Sequence, residues 1–473
     1  MSRVLMVSSE AAPFAKTGGL ADVLGSLPPA LCALGVDCAV VLPRYASIDV
    51  TLAECVYNGM RVYLGGGYYE VDIFRRDVRG VAFFFVEHAG LYGRDGIYGD
   101  RFGEFGDNPV RYAVLCGAAL GVARYLFPTD IFHCHDWQGG LVPLYLKNLG
   151  AGDPALHHVR SVFTIHNLGY QGLVARDRLW DLGVEDRFYR SDLIELNGMA
   201  SLLKAGIVFA DALTTVSPRY AAEIQTPEYG YGLDGLLRAR SAVLTGLLNG
   251  CDYGEWNPET DPYLAANYSA GDLTGKQKCK QALLDEFGLG DRVHKPLLGI
   301  VSRLAHQKGF DLLGGVLDEM LGYRDLTLVV LGSGDRDVEN LFWAFAARYP
   351  RNLIFWHGFN HPLAHRIEAG SDLFLMPSRY EPCGLNQIYS LRYGALPVVR
   401  ATGGLDDTID AETGFKFWRF DSWDLAECLR HALAVYAEPA RFRAMQQAAM
   451  RKDFSWAKSA RGYLDLYQLV LNR

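Results

Sequence analysis

Short apolar runs bounded by polar residues recur along the whole chain and predict β-strands. They lie at residues 3–8, 36–42, 131–135, 162–166 and 212–216 in the first half, and at residues 297–302, 326–331, 352–356, 373–376 and 396–400 in the second. Helical patterns cover residues 109–126 and 191–209 and follow each strand of the second half. Such alternation predicts parallel, doubly wound α/β sheets, in which ligands bind beyond the carboxyl ends of the strands.

Two segments depart from this alternation. Residues 61–88 alternate apolar and polar positions around a glycine run and predict an inserted antiparallel hairpin. Residues 245–258 are rich in Gly, Asn and Asp and predict a domain boundary, which a length of 473 residues also favours. We therefore expect two Rossmann-like lobes facing a cleft, at residues 1–245 and 250–455, with a last helix, 456–473, that joins the first lobe.

Composition and charge exclude several classes of protein. The net charge of −8 leaves no basic excess to neutralise phosphates, so a nucleic-acid partner is not expected. The chain has no run of 18 apolar residues, and its first strand begins at residue 3, so we expect neither a membrane span nor a signal peptide. Nine cysteines without a C-x-x-C pair are typical of reduced thiols and predict a cytoplasmic protein.

The tetrapeptide Thr-Gly-Gly-Leu occurs once in each half, at residues 17–20 and 402–405. Each copy follows a predicted strand and precedes a stretch that could start a helix. A glycine pair lets backbone amides approach an anion closely, and a helix N-terminus favours negative charge. The two loops therefore predict two similar lobes that grip one phosphate-bearing ligand. The alternative is that both are ordinary β–α turns.

Charged residues follow two strands of the second half. Arg303 and Lys308 come after the strand at 297–302 and suit a diphosphate, which Arg binds bidentately and Lys as a point charge. A pair of surface cations is the alternative. Glu381 follows the strand at 373–376 in a loop stiffened by Pro377 and Pro382, a position that favours ligand contact over packing.

The first half offers residues for a sugar at its strand ends. Asp136 and Trp137 suit hydrogen bonds to a sugar rim and stacking on its face, and His166 has either a cleft or a capping role. The run from His133 to His135 does not predict a zinc site, because successive side chains of a strand point to opposite faces. The D-x-D at residues 335–337 opens a helix, where carboxylates are stabilising without a metal. We expect no metal and no cofactor.

Taken together, these residues resemble the bacterial and plant glycogen/starch synthase family. The matching segments are residues 16–22 (KTGGLAD), 135–137 (HDW), 164–167 (TIHN), 248–250 (LNG), 301–304 (VSRL), 307–309 (QKG), 377–384 (PSRYEPCG) and 402–407 (TGGLDD). They run in order over most of the chain. The combination is specific to the family, although each piece alone is not.

The resemblance implies a GT-B fold and retaining transfer of glucose from ADP-glucose to the 4-hydroxyl of an α-1,4-glucan. It implies that the C-terminal lobe holds the sugar nucleotide and that the N-terminal lobe faces the glucan acceptor. The catalytic residues it implies are Arg303 and Lys308 at the diphosphate, Glu381 at the reacting sugar, and Asp136 and His166 in the sugar site. The substrate-binding positions it implies are Lys16, Gly18, Gly19, Asp22, Tyr98, Trp137, Asn249, Cys383, Gly384, Leu385, Thr402, Gly403 and Gly404.

Three positions depart from the family pattern, and two other functions stay open. Asn386 replaces a usual Thr, Phe359-Asn360 stands where Gly-Tyr is usual, and Tyr389 stands where related transferases often have a second Glu. One alternative function is another retaining transferase with a different donor or acceptor. The other is a catalytically silent glucan-binding relative, which the presence of Arg303, Lys308 and Glu381 disfavours.

Overall fold

The computed structural model describes residues 2–148 and 150–472, and the chain divides into two compact units. The first unit runs to Gly250 and includes the C-terminal segment from Trp456 onwards. The second unit is Cys251–Ser455. Within the described residues, no helix combines the length and the apolar character that crossing a membrane requires.

The first unit is built around one mixed sheet, with small two-residue and three-residue strands beside it. Its strands are β1 Arg3–Val7, β2 Asp37–Pro43, β3 Glu54–Leu64, β4 Gly67–Val78, β5 Val81–Glu87, β6 Gly99–Asp100, β7 Gly103–Glu104, β8 Ile131–His135, β9 Arg160–Ile165, β10 Leu173–Val174, β11 Glu195–Leu196, β12 Met199–Ser201, β13 Ala212–Thr215 and β14 Leu244–Gly246.

The main sheet of the first unit has the order β14-β13-β9-β8-β1-β2-β5-β4-β3. The strands from β14 to β5 run parallel, and those from β13 to β5 have the buried, largely apolar sequences expected of strands covered on both faces. The chain passes from β1 to β2 and β5 on one side and then returns to β8 on the other. The strand order therefore reverses between β1 and β8, the point at which doubly wound sheets bind ligands.

Helices cover this sheet. They are α1 Gly19–Cys32, α2 Ala89–Tyr92, α3 Asn108–Tyr125, α4 Asp136–Gly139, α5 Leu141–Asn148, α6 Leu202–Phe209, α7 Pro218–Glu223 and α8 Asp234–Ala239, with 3-10 turns at Gly150–Gly152, Arg176–Arg178, Trp180–Leu182, Asp186–Phe188 and Ser241–Val243.

The antiparallel hairpin predicted at 61–88 is present as β3–β4, which turns at Gly65 and Gly66. It begins earlier than predicted, at Glu54, and β4 also pairs antiparallel with β5, so the hairpin extends the main sheet. One prediction for the first unit needs correction. The helix predicted at 191–209 is wrong over its first half, which forms the antiparallel pair β11–β12 around Asn197 and Gly198. Both of these residues have positive φ, a turn geometry that helical periodicity does not reveal.

The second unit is a parallel sheet covered by helices. Its strands are β15 Leu297–Val301, β16 Thr327–Gly332, β17 Leu353–His357, β18 Leu373–Met376, β19 Leu396–Arg400 and β20 Phe415–Phe417, and its α-helices are α9 Thr274–Glu286, α10 Arg336–Arg348, α11 His361–Gly370, α12 Asn386–Tyr393, α13 Gly403–Thr408, α14 Ser422–Tyr436 and α15 Pro439–Met450. A last helix, α16 Trp456–Leu471, belongs to the first unit and packs against α1.

The strand order of the second unit is β17-β16-β15-β18-β19-β20, and it reverses between β15 and β18. The predicted doubly wound α/β sheets are thus present in each unit. The helical stretch predicted after β15 consists of 3-10 turns at His306–Lys308 and Phe310–Gly315 and a π-helical turn at Asp318–Tyr323. Gly309, at φ +70°, separates the two 3-10 turns and prevents one continuous helix.

Candidate active site

The switch point of the second unit holds an ion pair between two of the predicted catalytic residues. Lys308 follows β15 and Glu381 follows β18, and the Lys308 Nζ lies 2.6 Å from the Glu381 Oε2. The same oxygen accepts a hydrogen bond of 3.0 Å from the Ser378 hydroxyl. The Glu381 carboxylate is 7% exposed, so it is a buried anion whose charge Lys308 balances and to which Ser378 adds a hydrogen bond.

The loop that carries Lys308 is built onto the loop that carries Glu381. Gly309 is left-handed, and a Cβ there would lie 2.1 Å from the Pro377 carbonyl oxygen, so only glycine permits this approach. The backbone amide of Arg379 donates to the Gln307 carbonyl at 2.9 Å. These contacts set the spacing between the cation and the carboxylate.

A second cation and two backbone amides are available at the same edge. Arg303 is exposed, and its guanidinium makes no ion pair or hydrogen bond with any residue that the structure describes. The amides of Gly384 and Leu385, directly before α12, likewise make none within residues 2–148 and 150–472. Gly384 has φ +72°, which a side chain would strain. The N-terminal end of α12 therefore offers its partial positive charge to an anion.

The second Thr-Gly-Gly-Leu loop packs closely against the loop that carries Glu381. A Cβ on Gly403 would lie 1.9 Å from the Glu381 carbonyl oxygen, and one on Gly404 would lie 2.1 Å from that of Cys383. The Gly404 amide donates a hydrogen bond to the Glu381 carbonyl at 3.1 Å. The Leu405 amide donates to the backbone carbonyl of the buried Thr402, also at 3.1 Å. The glycine pair lets this loop pack against the Glu381 loop, and the Gly404 amide is not open to a diphosphate.

Asp335, from the D-x-D segment, also has a structural partner. Its carboxylate accepts the backbone amide of His306 at 2.8 Å and so anchors the turn that leads to Lys308. The departure at Asn386 has a local reason as well: its side-chain amide donates to the carbonyl of Val301, at the end of β15.

In the first unit, a residue that sequence reasoning missed organises the switch point. Glu10, 3% exposed, lies just beyond β1 and accepts hydrogen bonds from the Thr17 hydroxyl at 2.7 Å and the Gly18 amide at 3.3 Å. It also accepts hydrogen bonds from the Thr17 backbone amide and the Tyr98 hydroxyl. The first Thr-Gly-Gly-Leu loop thus binds an internal carboxylate. The signal was present, since Glu10 is an acidic residue directly after a predicted strand.

The outer face of this loop is open. Gly18 is extended at φ −158°, and a Cβ there would meet no atom within 4 Å. Gly19 begins α1, and Lys16 pairs with Asp22 in its first turn at 2.6 Å. Because Lys16 remains about half exposed, it can reach a ligand while Asp22 orients it.

Tyr98 is placed by Glu10 and Ser9. Its hydroxyl lies 2.7 Å from the Ser9 Oγ and donates to Glu10. Burial and the Glu10 carboxylate raise the pKa of Tyr98 well above its usual value, so it stays a neutral hydrogen-bond donor.

Asp136 and His166 follow the neighbouring strands β8 and β9 at the switch point of the first unit, and a hydrogen bond joins them. Asp136 directly follows β8 and has φ +52°, an unfavourable backbone conformation for a residue with a side chain. Its carboxylate accepts the backbone amide of His166 at 2.7 Å and that of Asn167 at 3.4 Å. Burial raises the pKa of Asp136 to about 7 despite these two hydrogen bonds, and the Glu10 charge adds to the effect.

A chain of neutral histidines lies behind Asp136. His135 Nδ1 and His166 Nε2 share a hydrogen bond of 2.9 Å. His133 contacts the Tyr467 hydroxyl of α16 at 2.7 Å and the Thr164 hydroxyl at 2.6 Å. Burial lowers the pKa of both His133 and His166 to about 3, so these rings act as neutral hydrogen-bonding groups.

Trp137 and Asn249 have different surroundings. The Trp137 ring meets the edge of Tyr112, with ring centroids 5.1 Å apart, and a Cβ on Gly172 would lie 2.5 Å from it. At least part of the Trp137 face is therefore covered by protein. Asn249 is buried, and its Oδ1 has no hydrogen-bond partner within the described part of the chain, so it offers an acceptor to a ligand.

Comparisons with known proteins agree with this architecture. The family described as "Starch synthase catalytic domain" matches residues 3–239, and "Glycosyl transferases group 1" matches residues 285–448. The glycogen synthase of Myxococcus xanthus is 49% identical, over 98% of this chain and 98% of its own length. That of Koribacter versatilis is 44% identical, over 98% and 97%.

Solved structures give the same answer. The catalytic domain of starch synthase IV from Arabidopsis thaliana, bound to ADP and acarbose, matches 100% of this chain and 99% of its own with a TM-score of 0.90 at 32% identity. A sucrose-phosphate synthase from Thermosynechococcus elongatus matches with a TM-score of 0.64 at 16% identity, which speaks for the fold alone. Two doubly wound units with these matches define a glycosyltransferase of the GT-B fold. The chain belongs to the glycogen/starch synthase family, and the predictions of the family, of the fold class and of a hexosyltransferase are confirmed.

Proposed function

We propose that this chain transfers glucose from ADP-glucose to the non-reducing-end 4-hydroxyl of an α-1,4-glucan, with retention of configuration and release of ADP. Family membership supports the reaction. One observation carries the proposal: a buried carboxylate, Glu381, lies beside Lys308, with an exposed Arg303 and the open amides of Gly384 and Leu385 at the same sheet edge. This set suits a diphosphate leaving group joined to a sugar.

The cations are proposed to stabilise the leaving diphosphate. As the bond from the anomeric carbon to the diphosphate breaks, negative charge grows on the phosphate oxygens. Arg303 can bind two of these oxygens, and the ammonium of Lys308 has three donors, so it can hold a phosphate while keeping one hydrogen bond to Glu381. The start of α12 adds a partial positive charge.

Glu381 is proposed to act on the sugar. Positive charge develops at the anomeric carbon in an oxocarbenium-like transition state, and a buried carboxylate stabilises it strongly because water is excluded. Retention is met either by Glu381 forming a covalent intermediate or by attack on the same face that the diphosphate leaves. In either route the carboxylate acts from its position in the ion pair with Lys308.

The first unit is proposed to bind the sugar and the acceptor. Asp136, His166 and Asn249 offer a carboxyl, a neutral imidazole and an amide acceptor to sugar hydroxyls. Lys16 and the open face at Gly18 are proposed to contact the sugar nucleotide, with Asp22 and Glu10 as positioning residues. Trp137 is proposed to shape the site by packing instead of stacking on a sugar.

We place the reaction in the cytoplasm, because all nine cysteines remain unpaired as thiols. The direct test of function incubates the purified protein with glycogen and either ADP-glucose or UDP-glucose and measures nucleotide release and chain elongation. We expect elongation with ADP-glucose. An Arg303→Ala variant should lose it, whereas Arg351→Ala, which removes an exposed arginine paired with Asp291, should not. Absence of elongation with either donor would count against the proposal.

A further inference from the structure

A second cluster of chemically active side chains lies in the second unit, at the start of α11. His361 is the first residue of α11, and His365 follows one turn later on the same face. Glu255, from the segment just after the unit begins, approaches them. One ligand atom from each of the three lies within 4.8 Å of the other two, and the His361 Nε2 is 3.4 Å from the Glu255 Oε1.

His365 is held as a metal-binding histidine usually is. Its side chain is 1% exposed, and its Nδ1 lies 2.7 Å from the Oδ2 of the fully buried Asp261. Because a carboxylate only accepts, the Nδ1 donates to Asp261, and in the neutral ring the Nε2 then presents a lone pair. That Nε2 is buried and has no hydrogen-bond partner among the residues described, an arrangement that is costly unless a ligand satisfies it.

The ring of His365 is also fixed in orientation. It stacks on Trp256, with ring centroids 3.9 Å apart and planes 9° from parallel, and Trp256 in turn stacks on Tyr389 at 4.0 Å. Tyr393 donates its hydroxyl to Asp261, so the carboxylate is itself oriented. A histidine whose other nitrogen donates to a fixed carboxylate is the arrangement that supports metal ligation in proteins.

We propose that Glu255, His361 and His365 form a binding site for a divalent transition-metal ion, with Zn²⁺ as the best fit. Two imidazoles and one carboxylate are a recurrent zinc ligand set that leaves a position for water. Tetrahedral ligands at about 2.1 Å from zinc are about 3.4 Å apart, which the His361–Glu255 distance already matches. Closing the remaining separation needs movement of the two partly exposed side chains only.

This site is independent of the proposed reaction, because none of its ligands belongs to the set around Glu381. Its effect would be to tie the segment that carries Glu255 to α11. The ion should therefore raise the thermal stability of the second unit without being required for turnover.

The test uses untagged protein stripped with chelator and then titrated with Zn²⁺ against a chromophoric competitor. We expect one tight equivalent and a raised melting temperature. The matched control is His357→Ala, which removes an exposed histidine that also pairs with a carboxylate, Glu339, at 2.9 Å. Among the residues that the structure describes, His357 belongs to no group of three potential metal ligands. Zinc binding should survive in this control and weaken by about 100-fold in His361→Ala and Glu255→Gln.

Cobalt substitution gives a second readout. We expect the visible d–d bands of a nitrogen- and oxygen-ligated Co²⁺, bands that the His361→Ala variant should lack. A sulfur-to-cobalt charge-transfer band would assign the ion to a cysteine and overturn the proposal. The proposal is also overturned if wild type, His361→Ala and Glu255→Gln bind zinc equally, since binding would then be adventitious.

Discussion

Removing the charge of Lys308 while keeping its stem, as in Lys308→Met, probes the ion pair at the centre of the candidate site. Two separate effects are expected. The loss of one charge-stabilising group should lower kcat/KM by about 10²–10³, or roughly 2.7–4 kcal/mol of transition-state stabilisation. The Glu381 carboxylate, 7% exposed, should also be left with Ser378 as its remaining partner, at 3.0 Å.

The stability effect follows from this burial. Breaking a buried pair by removing one partner costs about 3–5 kcal/mol. The Lys308 side chain keeps 18% of its surface in water, so we expect a smaller loss, of about 1–3 kcal/mol. In a Glu381→Gln background the same change leaves a neutral amide, not a buried anion. The two substitutions should therefore couple by about 1–2 kcal/mol, or roughly 2–8 °C in the melting temperature of a unit of this size.

The assay combines calorimetric melting of the four proteins of the cycle with initial rates on ADP-glucose and glycogen. Lys452→Met is the control, because Lys452 also pairs with a carboxylate, Asp410 at 2.7 Å, but both side chains are well exposed. It should change stability by less than about 1 kcal/mol and leave kcat/KM unchanged. Additive melting shifts in the cycle, or full activity in Lys308→Met, would refute the account of a charge-balanced carboxylate.

The remaining predictions concern Asp136, the two glycine loops, Glu381 and the need for metal. Burial raises the pKa of Asp136 to about 7 in the folded state, so between about pH 4 and 7 the folded chain keeps a proton on this carboxyl that the unfolded chain releases. As the pH rises over that range, the free energy of unfolding of wild type should fall by up to about 4 kcal/mol relative to Asp136→Asn. Urea midpoints at each pH measure this difference. Gly404→Ala should destabilise by about 1–3 kcal/mol because of its contact with the Cys383 carbonyl, whereas Gly18→Ala should leave the melting temperature unchanged, and a rate loss in that variant would report a ligand contact. Glu381→Gln should lower kcat strongly with equal or tighter ADP affinity by calorimetry; a raised donor KM at normal kcat would remove it from the catalytic residues. Turnover should persist in excess chelator, and its loss with rescue by a divalent ion would contradict the cation-based mechanism.

The strands of the second unit show how much apolar patterning reveals. The run at 373–376 coincides with β18 and that at 396–400 with β19, because a strand buried on both faces is a short continuous apolar run. In the first unit, the run at 162–166 ends one residue later than the strand, since β9 is Arg160–Ile165. His166 therefore lies past the strand, where its backbone amide can bond to Asp136.

Elements that depend on the backbone conformation of a turn cannot be predicted from the apolar pattern in the same way. The pair β11–β12 turns at Asn197 and Gly198, both with positive φ, inside a stretch whose apolar spacing favours a helix. Glu10 had a local signal, an acidic residue just after the predicted strand at 3–8, but its contact with Tyr98, 88 positions away, required the fold. The zinc candidate had a weak local signal, two histidines four residues apart, but the contribution of Glu255 required the fold.

The two Thr-Gly-Gly-Leu loops show why a motif can locate a site and still mislead about its chemistry. The first loop follows β1, which flanks the reversal of strand order in its sheet. The second follows β19, the neighbour of β18, and packs against the loop that carries Glu381. In the first, the amides of Thr17 and Gly18 bind the internal carboxylate of Glu10. In the second, Gly404 binds the backbone of the Glu381 loop.

The glycines of the second loop are thus required by the close approach of one protein segment to another. We expect an anionic ligand to contact the neighbouring groups instead, namely Arg303, Lys308 and the start of α12, which follow the two strands flanking the reversal of strand order. A Cβ on Gly404 would lie 2.1 Å from the Cys383 carbonyl oxygen, so a side chain there should push the Glu381 loop away. We therefore expect the second motif to affect catalysis through the position of Glu381, and substitutions at Gly404 and Gly18 should separate structural from ligand-binding roles.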